Sequence, residues 1–151
     1  MKLAEALQER ADLKRALTGL RERLDRAALV QEGEKPAEDP QALLRLQEEC
    51  FRRMEYLIAA INHSNDVTEV NGMTLTRLIA KKDVLLMKLA AYKNLIRTAG
   101  SGAPRARGAE IRILPTVKTA ELQAEADRIS REIRLLDNTL QETNWTRDLI
   151  E

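Results

Sequence analysis

A lone histidine, a lone cysteine and a run of short polar side chains are the groups in these 151 residues with the means to do chemistry. His63 sits in I-N-H-S-N-D (61–66), with Asn62, Asn65, Asp66 and Glu69 close by in sequence. An imidazole among carboxylates can bind a metal or move a proton. A metal site needs several such ligands, and there is no second histidine to supply one. The paired Glu-x-x-His pattern of dinuclear helical bundles is also missing. We therefore expect no metal site and read His63 as a polar loop residue.

Cys50 falls on an apolar stripe, with no local feature that would lower its pKa, so a buried inert thiol is expected rather than a nucleophile. A single cysteine excludes a disulfide within the chain, and nothing implies an oxidising compartment. No glycine-rich phosphate loop and no G-x-S-x-G elbow occurs. We expect no catalytic residue, no cofactor and no enzymatic activity. Arg97, Arg105, Arg107 and Arg112 form a basic cluster, but no aromatic side chains lie nearby for base stacking. The net charge is only +1, so a solvated or oligomer-facing loop is expected there and no nucleic-acid partner.

The polar run continues as Asn62, Asn65, Thr68, Gly72 and Thr74. Asn, Ser, Asp and Thr bond nearby backbone and favour turns and caps. These five are expected to build a structural turn at residues 61–76, with Gly72 supplying a positive φ. The competing use of this end is a ligand site built from Asn62, Asn65, Asp66, Thr68 and Asn144. Near the other extreme of the chain, Trp145, Leu149 and Ile150 are large apolar groups that lie off the stripe of their own helix. A segment at a chain end is poorly ordered unless something holds it, and Trp is prominent in interface energetics. They are assigned to an oligomer contact; the alternative is a tail folded back over its own end of the bundle.

Four helices must position these groups. Leucine and alanine dominate the apolar set, aromatics are 3%, and glycine and proline are few, the composition of long helices. The first seam runs Leu3, Ala6, Arg10, Leu13, Leu17, Leu20, Leu24, Ala27, alternating steps of three and four, and predicts a helix over about residues 2–32 with Gly33 as its stop. Asp39-Pro40 starts a second helix over 40–64, carrying Leu43, Leu46, Cys50, Met54, Leu57 and Ile61, with Phe51 and Ile58 widening its core face. The third, over 75–99, has Leu75, Leu78, Lys82, Leu85, Leu89, Tyr92, Ile96 and Ala99, broadened by Ile79 and Leu86. The fourth, over 119–146, has Leu122, Ala126, Ile129, Ile133, Leu136, Leu140 and Thr143. Ile111 and Ile113 alternate about Arg112, so a short extended edge is expected before Pro115. Arg10 and Lys82 interrupt the seams, either snorkelling or fixing register.

The expected fold is all-α: a single domain forming an antiparallel up-down-up-down four-helix bundle with long coiled-coil-like helices. Glu5 and Arg10 break the apolar run that a signal peptide needs, and no stretch approaches the ~18 uncharged apolar residues of a membrane span. A cytoplasmic location with no membrane partner is expected.

Three segments carry a resemblance: V-Q-E-G-E-K-P-A-E-D-P (30–40), I-N-H-S-N-D-V-T with G-M-T-L-T (61–76), and L-D-N-T-L-Q-E-T-N-W-T-R-D-L-I-E (136–151). They resemble a bacterial family of small helical proteins labelled septicolysin-like, and the similarity runs the length of the chain. His63 and Lys118 stand where other polar residues are expected. The resemblance brings no catalytic residue or cofactor; its label implies a cell-lysing toxin. Three functions are thus weighed: a self-associating, non-enzymatic scaffold that partners itself as a homo-oligomer, which is favoured; a septicolysin-like cytolysin acting on membranes; and a ligand binder using the polar Asn/Thr end.

Overall fold

Asp39 caps the second helix as its spacing predicts: its carboxylate accepts the Gln41 N–H at 3.0 Å, and Pro40 occupies the first helical position. The computed structural model describes residues 1–101 and 112–151. Within them the chain is mostly helical, with α1 (Leu3–Ala27), α2 (Pro40–Val67), α3 (Leu75–Gly100) and α4 (Thr119–Thr146). Two short strands, β1 (Glu69–Val70) and β2 (Met73–Thr74), form one antiparallel pair in which Glu69 faces Thr74 and Val70 faces Met73. The chain is all-α in class, with this hairpin as its one sheet among the described residues.

Two compact units divide these elements: residues 1–74 with 142–151, and residues 75–141. In the first, α1 and α2 pack with opposite directions, since Glu9 pairs with Arg53 near one end and Arg23 with Glu38 near the other. Leu3, Ala6, Leu20 and Ala27 of α1 and Leu43, Leu57, Ala60 and Ile61 of α2 are buried. In the second, α3 and α4 also run oppositely: Lys82 pairs with Asp137 and Lys88 with Glu125. Ala126, Ile129 and Leu140 are buried on α4, but on α3 only Leu75 and Leu78 are. The next seam residues, Lys82 through Ile96, are half-buried.

Several expectations change. α1 stops at Ala27, not near 32, because its last buried contacts, with Leu43 and Cys50, end there; an unpacked helical turn has little to hold it. Leu29 beyond it is 88% exposed. α2 runs on to Val67 instead of ending near Ser64. Ile61, Ser64 and Thr68 continue its buried stripe, and that burial overrides the turn preference of the polar residues between them. The broad core faces are narrower than expected: Phe51, Ile58, Ile79 and Leu86 are all exposed. Each helix buries little more than its seam. Residues 112–115 join no strand, and Ile111, Arg105 and Arg107 lie outside the described residues.

Candidate functional site

The place where most distant parts of the first unit converge is the end of α2. Ser64 is fully buried there. Its hydroxyl donates to the Ala60 carbonyl at 2.8 Å and accepts the Ile150 N–H, also at 2.8 Å. The hydroxyl is thus satisfied by its own helix while it anchors a segment 86 residues away. That segment, residues 147–150, lies alongside the start of the chain. The Leu3 N–H donates to the Arg147 carbonyl at 3.0 Å, and the Leu149 N–H to the Met1 carbonyl at 2.9 Å. Lys2 and Asp148 form an isolated antiparallel bridge between these bonds. The Lys2 ammonium reaches the Thr146 carbonyl at 3.1 Å and the Asp148 carboxylate at 2.9 Å, and its proximity holds Asp148 below its ordinary pKa.

A second set of contacts runs outward from the same end. Arg53 grips the Glu9 carboxylate with two bonds, 2.7 and 2.8 Å. The fork geometry matches a carboxylate on both oxygens, and these hydrogen bonds lower the Glu9 pKa. The Arg53 guanidinium also stands 5.0 Å from the Tyr56 ring centre. The Glu151 carboxylate, bonded to the Tyr56 hydroxyl, raises that phenol's pKa. Burial contributes in the same direction. The tail is therefore tied at its backbone and at its last side chain.

Asn62 and Asn65 belong to this region but not as turn residues: both lie inside α2, Asn62 exposed and Asn65 half-buried. Thr68 is the C-cap, buried, its N–H donating to the Ser64 carbonyl at 2.9 Å. The reversal itself is the two-residue loop Asn71-Gly72, with φ of 52° and 78°. Positive φ at both positions is what a type I′ hairpin needs, and it matches the twist of the flanking strands. Thr74 closes the hairpin opposite Glu69. The Asn-Gly pair was the available sequence signal for this hairpin.

Leu149 and Ile150 have partners within their own chain, which corrects the reason for sending them to an oligomer contact. Trp145 is different: it is 57% exposed on the last turn of α4. Asn144 is half-buried and His63 exposed. A cleft of about 400 Å³ is lined by Val67, Thr68, Glu69 and the tail residues Thr146, Arg147, Asp148 and Ile150; of the groups considered for a ligand site, only Thr68 lines it. Cys50 is half-buried against the Leu20, Ala27 and Leu43 cluster. Among the described residues no group of three or more His, Cys, Asp or Glu side chains is placed to hold a metal ion. Lys82 is half-buried with its ammonium on Asp137, and half-buried Arg10 lines a groove with Leu7, Met54 and Ile58.

A family model described as a family of unknown function, DUF6847, matches residues 10–149. The crystal structure of a functionally unknown conserved protein from Corynebacterium diphtheriae superposes with a TM-score of 0.90 at 37% identity, over 99% of this chain and 98% of that one. No curated protein matches. Neither match names a septicolysin or an activity.

Proposed function

We propose that this chain, which belongs to the family of unknown function DUF6847, is a non-enzymatic structural protein that assembles with copies of itself. The observation that carries the reading is the number of large apolar side chains left on the outer sides of the helices. Leu44, Phe51 and Ile58 stand seven residues apart along α2, at 45%, 50% and 42% exposure. Residues spaced by seven stay on one line of a helix. On α3, Val84 and Met87 are exposed at 61% and 71%. Single exposed apolar residues are ordinary; aligned rows mark surfaces that meet something. An antiparallel four-helix bundle within each copy is part of the same reading.

Mass in solution tests it, by light scattering or mass photometry over a range of concentrations. A defined oligomer is expected; a monomer throughout overturns the proposal. The competing lytic function makes a different demand, and among the described residues no helix is long and apolar enough to cross a membrane. Dye-loaded liposomes should stay intact with the purified protein, and dose-dependent leakage at neutral pH would favour lysis instead.

A further inference from the structure

We propose that the groove between α1 and α2 beside Arg10 binds an amphipathic anion, a free fatty acid, with its carboxylate on Arg10 and Lys14 and its chain along Leu7, Met54 and Ile58.

Two cations interrupt the helix seams, and they end differently. Lys82 has a carboxylate of its own, Asp137. Arg10 has none: among the described residues no ion pair or hydrogen bond reaches its guanidinium. The carboxylates nearest to it along α1 are already engaged. Glu5 accepts the Lys2 N–H, Glu9 is held by Arg53 and Asp12 by Arg15. Arg10 is nonetheless half-buried. A guanidinium drawn partly out of water gives up hydration, and here it recovers no counter-charge from the described residues. Lys14, one turn further on, is exposed and also unpaired among the described residues.

The lining gives the missing anion a shape. The groove holds about 440 Å³ and is lined by Leu7, Arg10, Ala11, Lys14, Met54 and Ile58, all within the first unit. The volume is that of a small-molecule site, and so is the make-up: apolar walls with a few polar groups that fix orientation. No acidic residue lines it. Glu9 lies opposite Arg53 on the oppositely directed α2. Met54 and Ile58 therefore stand level with Leu7 and the turn before it, while Arg10 and Lys14 stand about one and two turns nearer the middle of α1. Apolar side chains gather at one end and cations at the other, over ~15 Å from the level of Ile58 to Lys14. A carboxylate can take the Arg10 fork on both oxygens. The hydrocarbon then lies over Met54, which is half-buried, and Ile58, which is 42% exposed.

Size and charge choose among the occupants. Six side chains fall far short of the ~800 Å² that each partner gives to a stable protein interface, which argues against a second copy seated here. Membrane surfaces are held by clusters of about four to eight Lys or Arg, and this groove has two. A single-chain carboxylate matches both the paired cations and the narrow apolar length. The site stands apart from self-association and shares only Ile58 with the aligned row on α2.

The test is titration calorimetry on the full chain with octanoate, decanoate and dodecanoate below their micelle concentrations. Affinity should rise about fourfold for each added pair of methylenes, since an open groove covers about half of each. Octanol, which lacks the charge, should bind at least tenfold more weakly than octanoate. R10Q removes the fork and keeps a polar side chain; it should weaken decanoate tenfold or more. A11L puts a larger side chain into the groove and should abolish binding. R15Q removes an equal charge outside the groove and should leave binding unchanged. Circular dichroism on each variant checks helicity; should R10Q fail to fold, A11L and the octanol comparison decide. Binding that is absent, or indifferent to R10Q, A11L and the head group, overturns the site. So does a lighter assembly for R10Q in light scattering with no carboxylate bound to the wild type, which would seat a second copy in the groove. Binding only to phosphatidylglycerol vesicles overturns it too, in favour of a membrane contact. A chain that is monomeric at every concentration and still binds decanoate through Arg10 retires self-association and leaves the site standing.

Discussion

The α1–α2 hairpin with its tail and the α3–α4 pair start from the same spacing of apolar residues and finish it differently. In the first, both helices bury side chains near each end, from Leu3 and Ile61 at one to Ala27 and Leu43 at the other. The Leu149 N–H on the Met1 carbonyl, the Leu3 N–H on the Arg147 carbonyl and the Ile150 N–H on the Ser64 hydroxyl then close that end. In the second, α3 buries Leu75 and Leu78 and leaves the rest of its seam half-covered, with lysine–carboxylate pairs across to α4. Partly exposed ion pairs contribute little each, about 0–1 kcal/mol. The lesson is that a 3–4 period says where a helix faces its neighbour, not whether that neighbour completes its cover. Where side chains are buried, stability is held inside the chain; apolar surface stays exposed on α2, at Leu44, Phe51 and Ile58, as well as on α3.

The largest effect expected is on Leu57, which is fully buried in the first unit. Leu57→Ala should cost about 2–5 kcal/mol, read from urea unfolding. Leu89→Ala, at a half-buried seam position of α3, should cost markedly less, about 1–2 kcal/mol for the smaller apolar area returned to water. Equal losses would break the contrast.

Next is Ser64→Ala. It removes the acceptor of the Ile150 N–H and leaves that donor without its partner, at a cost of about 1–3 kcal/mol. Hydrogen exchange sharpens the comparison: amides 147–150 should lose protection while those of α3 keep theirs. A uniform loss across both units would mean that the tail stabilises the whole chain rather than its own end.

Acid should act on both regions, so it is the control. Hydrogen bonds from Arg53, Arg23, Arg128 and Lys81 lower the pKa of Glu9, Glu38, Glu125 and Glu132, in that order. Lys2 does the same to Asp148. A carboxyl whose folded pKa is depressed contributes stability that is fully present above its unfolded value. That contribution is lost as pH falls through the folded value. The melting temperature should hold from neutrality down to about pH 5 and then decline below ~4.3, the ordinary Glu value. A flat profile down to pH 3 would show that none of these pairs contributes.

The seams were legible because burial follows them closely, with Leu46 of α2, at 46% exposure, the exception. Every seam residue of α4, from Leu122 to Thr143, is buried or half-buried, and the start signals at Asp39-Pro40 and Thr119 fall where the helices begin. Asn62 and Asn65 misled because local turn preference is weak against the burial of Ile61 and Ser64 on the same helix. The hairpin at Asn71-Gly72 had its signal in the dipeptide itself, between short runs containing Val70 and Met73. The clasp had none. It pairs Met1 with Leu149 through backbone groups and the Ser64 hydroxyl with the Ile150 N–H, and no spacing of side chains encodes a partner that far along the chain. A serine three residues past Ile61 marks a seam position and nothing more.

The smallest effect expected belongs to Trp145. The tail beyond it is held by the carbonyls of Met1 and Arg147, the Ser64 hydroxyl and the Lys2–Asp148 pair, none of which involves the indole. At 57% exposure on the last helical turn, the ring has little area to lose. Trp145→Ala should therefore shift stability by no more than about 0.5 kcal/mol, as surface substitutions do, and leave protection at 147–150 unchanged. That makes it a clean probe of what lies outside the chain. If the variant keeps its melting temperature but its assembly weighs less, the indole is a contact between copies, separate from the exposed apolar residues of α2 and α3. If mass and melting temperature both hold, the apolar surface that matters is on α2 and α3. A fall of several degrees would place the indole in the closure of this end itself, beside the Ser64 hydroxyl and the Lys2–Asp148 pair.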